Sequence, residues 1–143
     1  MMRNLKKLVL AGAALTLLAA CQSTGGPDAK PQTAAGEAGG KRQVAADLTA
    51  YFAEPRRMRW ENAAGLTGFS DISPVGEIRT DWGKGGDVGR WNIEGDAFCI
   101  AYRKLRNGAK TCAHVYAMPD GSRRSFDAAT GQYKSTSWPQ GES

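Results

Sequence analysis

The side chains able to do chemistry are few. His114 is the single histidine, and the cysteines are Cys21, Cys99 and Cys112. One histidine excludes the H-E-x-x-H pattern and every multi-histidine metal site. Two downstream cysteines with that histidine fall short of a four-ligand zinc set. No serine stands in a G-x-S-x-G elbow. The run Gly83 to Gly89 invites a phosphate reading, but it is not G-x-x-x-x-G-K-S/T, and G-x-G-x-x-G fails at Val88. It joins two strand patterns, where a phosphate loop needs a strand and a helix, so it reads as a hairpin loop. His114 lies within a strand pattern on the face of Cys112 and reads as a partly buried structural residue. These residues point away from an enzyme, a metal and a cofactor.

Two groups could instead bind. Arg56, Arg57 and Arg59 crowd beside Trp60. Arginine pairs bidentately with phosphate, so this group could dock on anionic lipid headgroups or cell-wall phosphates. The plainer reading is a solvated turn whose charge Glu54 and Glu61 partly offset. Trp60, Trp82, Trp91 and Trp138 are many indoles for a chain this size. Exposed beside acids such as Asp81 or Glu94, Trp82 and Trp91 could stack on sugar rings; buried, they are core.

The start of the chain decides the compartment. Arg3, Lys6 and Lys7 precede an apolar run from Leu8 to Ala20, with no acid before Asp28. A basic start, a short apolar middle and small residues at its end make a secretory signal peptide. At ~1.5 Å per residue this run reaches ~20 Å, short of a ~30 Å hydrocarbon core. Its end, Leu18-Ala19-Ala20-Cys21, resembles the lipobox of bacterial lipoproteins. The resemblance covers residues 1 to 21. It implies a diacylglyceryl thioether on Cys21, cleavage before it and N-acylation. Several acyl chains hold a protein on a bilayer where one would not, at ~0.8 kcal/mol per buried methylene. Gln22 stands where an Asp would signal inner-membrane retention, which favours the outer membrane, facing the periplasm. The alternative is an ordinary signal peptide with an incidental Cys21.

Removal of that leader changes the charge argument. Three of the 19 cations leave with it, and the net charge falls from +5 to +2. Nucleic-acid binding needs a strongly basic face, which a balanced surface does not offer. Cys99 and Cys112 then remain in an oxidising compartment, and an even remainder reads as one disulfide.

Behind the anchor, residues 21–42 hold no large apolar side chain and are expected to form a flexible tether. Over residues 43–55, Val44, Leu48, Tyr51 and Phe52 form a helical stripe that Pro55 ends. The polar face of that helix is not rich in Lys and Arg, so packing on the domain is expected over lying on a membrane. Residues 56–138 form the domain proper, and from Gly65 onward the pattern is β. Phe98, Ile100 and Tyr102 alternate with Cys99, Ala101 and Arg103, and Val115 opposes Cys112, His114 and Tyr116. Short alternating runs between glycine turns mean an antiparallel meander. Five or six strands would curl into a sandwich or small barrel. Asn107-Gly108 is the strongest two-residue hairpin turn. It conflicts with pairing Cys99 to Cys112, which needs a wider loop over 103–108, and the redox argument is preferred. Residues 139–143 read as a frayed tail.

The segment Gly89-Arg-Trp-Asn-Ile-Glu-Gly-Asp-Ala-Phe-Cys99, with Cys112-Ala-His-Val-Tyr116 and Asp120-Gly121, resembles small secreted β domains of proteobacteria. Those carry a W-x-I/V-x-G-D/E-x-x-C hairpin and a second cysteine. The resemblance covers about residues 65 to 135 and implies a fold without an activity. The expectation is a lipid-anchored envelope module that binds a protein or glycan, or supports structure, without catalysis. The alternative is a carrier of a small apolar or glycan ligand inside the β domain. Metabolic labelling with palmitate should mark the wild-type chain and leave Cys21→Ser unmarked; equal label in both, or in neither, contradicts the anchor.

Overall fold

The computed structural model describes residues 31–141. Residues 1–30, which include the leader and Cys21, and residues 142–143 lie outside the described residues. The elements in order are helix α1 (Pro31–Glu37), strand β1 (Lys41–Arg42), helix α2 (Ala45–Tyr51), and strands β2 (Arg56–Asn62), β3 (Thr67–Ile72), β4 (Glu77–Asp81), β5 (Gly86–Glu94) and β6 (Ala97–Tyr102). A 3-10 turn (Leu105–Gly108) leads into β7 (Thr111–Ala117), β8 (Arg123–Asp127) and β9 (Tyr133–Pro139).

Strands β2 to β9 each pair antiparallel with the next in sequence, and β9 returns to pair with β2, Arg59 opposite Trp138 and Trp60 opposite Ser137. The result is an eight-stranded up-and-down barrel. The short β1 adds to the end of β7 that β6 does not reach, Lys41 opposite Ala117 and Arg42 opposite Tyr116. The expected meander is therefore present, but with eight barrel strands and one extra, not five or six. A smaller sheet would leave two open edges, and closure satisfies both. Strands β8 and β9 correspond to weak strand patterns around Phe126 and Tyr133, and the two strands with no such mark in the sequence are β2 and β3, whose alternation is not plainly apolar against polar.

One end of the barrel is plugged by α2. Leu48 is fully buried there, and Phe52 stacks on Phe98 with ring centres 4.7 Å apart and leans on Trp91 at 5.4 Å. Each such side chain contributes roughly 1.5–3 kcal/mol by leaving water. Asp96, in the β5–β6 turn, fixes the plug's orientation by accepting the Ala45 N–H at 2.9 Å. The helix is shorter than the expected span, and its stripe enters the barrel instead of lying along its wall.

The residues ahead of the plug differ from the expected tether. Pro31–Glu37 is helical, and Ala35 is fully buried against Met118 and Phe126 on the outer face of the barrel. A small side chain suffices here because Phe126, flanked by Tyr116 and Tyr133, supplies the apolar surface. Gly40 lets the chain turn back into β1. A Cβ on it would stand 2.6 Å from the Ala35 carbonyl oxygen.

Cys99 and Cys112 face each other across β6 and β7 and form a disulfide. The tight Asn107-Gly108 hairpin does not form. The connection spans Arg103 to Lys110, two residues wider than expected, with Arg106 and Asn107 both at positive φ, 53° and 54°. The cross-link closes a short loop on the outer face of β6 and β7. Replacing both cysteines by alanine should lower unfolding free energy by about 3 kcal/mol in a urea titration; an unchanged midpoint would contradict that contribution.

A candidate ligand cavity inside the barrel

Above the plug the barrel is not filled. A cavity of about 770 Å³ runs from Phe52 at the closed end to the loops β2–β3, β6–β7 and β8–β9 at the open end. One sector of its wall is apolar, with Ile72, Ile78, Phe98, Ile100 and Val115 pointing inward. A second sector is polar. Arg123 and Ser125 on β8 face Ser137 and Ser135 on β9 in direct cross-strand pairs, all on the cavity side.

A hydroxyl relay crosses the inner wall between these sectors. Trp60 lies flat over Gly68, where a Cβ would come within 2.4 Å of the indole, so only glycine fits beneath it. Its Nε1 donates to Thr80 Oγ1 at 3.2 Å, and Ser70 Oγ lies 3.0 Å from the same oxygen. Tyr102 adds its phenol beside Thr80 and Ser70. Burial pushes that phenol's pKa up to about 12, against the lowering effect of the two hydroxyls. It stays a neutral donor and acceptor at any physiological pH.

The wall holds three cations, Arg106, Arg123 and Lys134, and no carboxylate. Asp87 and Asp127 point toward the interior by register but are occupied by backbone. Burial alone would raise Asp87, yet the N–H groups of Leu105, Lys104 and Val88 outweigh it and hold its carboxyl below the usual value. Asp87 thereby ties the β6–β7 loop to β5. Asp127 accepts N–H bonds from Thr130 and Ala129 and is likewise lowered. Burial lowers Lys134, which sits at a bulge in β9 near Arg106. Burial also lowers Arg123, whose guanidinium lies 3.3 Å over the Tyr51 ring.

The candidate contact residues separate. Alternation along β2 sends Arg56 and Trp60 inward and Arg57 and Arg59 outward. Arg57 makes a bidentate pair with Asp71, and Arg59 stacks on Trp138 at 4.2 Å. Arg56 donates to the Tyr51 carbonyl oxygen and covers the other side of that ring at 4.5 Å. The crowd of charges in sequence is thus two faces of one strand. Trp60 and Trp82 line the cavity, Trp82 at its mouth. Trp91 packs at the closed end and donates Nε1 to the Ser73 carbonyl oxygen at 2.8 Å. His114 is partly exposed on the outer wall. Burial and Arg42 lower its pKa, and it forms no hydrogen bond with an acid. Glu94 lies with Cys99 and Cys112, but the sulfur atoms are bonded to each other.

A second, larger hollow of about 1110 Å³ lies on the outer wall among Arg57, Asp71, Arg79, Arg90 and Arg103, beside the chain's last described residues. Its lining also includes Ile72, Ile78, Val88 and Tyr102. The sequence reading missed Arg123, Ser125, Ser135 and Ser137. The available signal was their period of two, which a search for apolar alternation passes over. No protein-family model matches the chain, and neither do any curated protein or solved structure.

Proposed function

We propose that the protein is a carrier that holds one small ligand inside its β-barrel. The observation that supports this is the open-mouthed cavity above α2. Eight strands enclose a space that side chains either fill or leave for one small molecule. Here they leave about 770 Å³, within the range of ~300–1,000 Å³ typical of ligand sites. A continuous apolar sector with a few placed polar groups is the composition such sites have. Nothing in the cavity pairs a nucleophile with a base, so the reading is binding without catalysis.

The same proposal places the carrier on the outer membrane, facing the periplasm, held by lipid on Cys21. The support is Leu18-Ala19-Ala20-Cys21 and the disulfide, which suits an oxidising compartment. A barrel anchored there would meet apolar molecules in transit across the envelope. A module that binds a protein or glycan partner is the first role expected from sequence, with the carrier as its alternative, and no comparable built site on the outer surface favours it.

The neutral fluorophore N-phenyl-1-naphthylamine serves as a test ligand for the barrel. Wild-type protein should bind it saturably at a single site with enhanced emission. Thr111→Trp, which places an indole in the cavity, should abolish that binding while leaving the circular dichroism spectrum unchanged. Absence of saturable binding to the wild type, or binding unaltered by Thr111→Trp, would overturn the carrier reading.

A further inference from the structure

The cavity's unmatched charge narrows the ligand class, an inference that rests on the carrier reading. Arg123 is the decisive residue. Its Nε is the sole buried side-chain nitrogen or oxygen without a hydrogen-bond partner among the described residues. It belongs to neither of the two ion pairs found there, Arg57–Asp71 and Lys110–Glu94. The Tyr51 ring beneath it offsets part of the charge but accepts none of its in-plane N–H donors. Arg123 as a whole is half-buried, but an N–H donor withdrawn from water without an acceptor is unfavourable, and native proteins pair such groups.

The surroundings complete a receptor for an anion. Ser125, Ser135 and Ser137 stand beside Arg123 on the same wall, and none of their hydroxyls bonds to protein among the described residues. Arg106 and Lys134 add positive charge toward the mouth, while the interior acids, Asp87 and Asp127, are already committed to backbone N–H groups. Across the cavity lies the apolar sector of Ile72 and Ile78. We infer that the barrel takes an amphipathic anion, with a carboxylate or phosphate against Arg123 and the three serines, and its apolar body against the opposite wall. A guanidinium fork matches either oxyanion bidentately.

Displacement of bound N-phenyl-1-naphthylamine tests this with three competitors of equal chain length: dodecanoate, dodecyl phosphate and dodecan-1-ol. At least one of the two anions should displace the probe at about tenfold lower concentration than the alcohol, the scale of a charge-assisted hydrogen bond. Which anion wins identifies carboxylate or phosphate as the head group. Arg123→Gln should bring that anion to the level of the alcohol and leave the alcohol unchanged. Arg123→Lys should keep a reduced preference, a control in case the neutral variant loses stability. Equal displacement by all three in the wild type would overturn the anion inference and leave the carrier reading standing. Failure of the probe itself to bind would end both.

Discussion

Backbone hydrogen bonds between β9 and β2, from Arg59 opposite Trp138 to Asn62 opposite Ser135, close the meander into a wall with an inside. Everything proposed for the molecule depends on that ladder. Without it, β2 and β9 would be edge strands, and the inward side chains of β8 and β9 would face water on an open sheet. With it, Ser125, Ser135 and Ser137 become the lining of a cavity. The disulfide ties β6 to β7 on the outer face, and Asp87 ties the β6–β7 loop to β5, and of these two fastenings the disulfide takes up no interior volume.

The plug explains why the space persists at one end only. Leu48 and Phe52 enter from below and complete an aromatic layer with Phe98 and Trp91. That layer closes the lower end of the barrel. Above it, the inward residues Ser125, Ser135 and Ser137 on β8 and β9 are short. Serine at those positions is the direct cause of the empty volume. Larger apolar residues there would have joined the core.

That same choice limited what could be read from the chain. The strands with apolar inward residues, Ile78 on β4, Phe98 and Ile100 on β6, and Val115 on β7, were legible with their faces correct. The disulfide was legible once the compartment was inferred, and it overruled the Asn107-Gly108 turn correctly. Strand β2 was hidden because Arg57, Arg59 and Glu61 point outward between inward Met58 and Trp60, which reads as a charged turn. Strands β8 and β9 gave only weak patterns, around Phe126 and Tyr133, because their inward residues are polar, and β3 gave none because Gly68 and Ser70 face inward. The candidate site was half visible for the same reason: Trp60 and Trp82 were found by residue type, while Arg123 and the serines carry no mark until the wall closes around them. Ala35 was passed over because alanine gives no apolar signal until Phe126 is known to lie beneath it.

Near-neutral overall charge also concealed a local imbalance. The acids of the barrel are largely spent on backbone: Asp96 on the plug, Asp87 on a loop, Asp120 and Asp127 on turns. The interior cations have no such partners, so a chain that is balanced in sum is positive inside. Overall balance argues against a strongly basic outer face, but it says nothing about the sign of a cavity.

The central claim is that a ligand occupies the space between Phe52 and the open end. Methyl-labelled nuclear magnetic resonance reads this directly, since Met58, Ile78 and Val115 line that space and Val75 stands exposed outside it. Titration with N-phenyl-1-naphthylamine should produce ligand contacts to the methyl groups of Met58, Ile78 and Val115 and leave Val75 unmoved. Contacts confined to Val75 and the outer wall, with the inner methyl groups silent, would contradict the account.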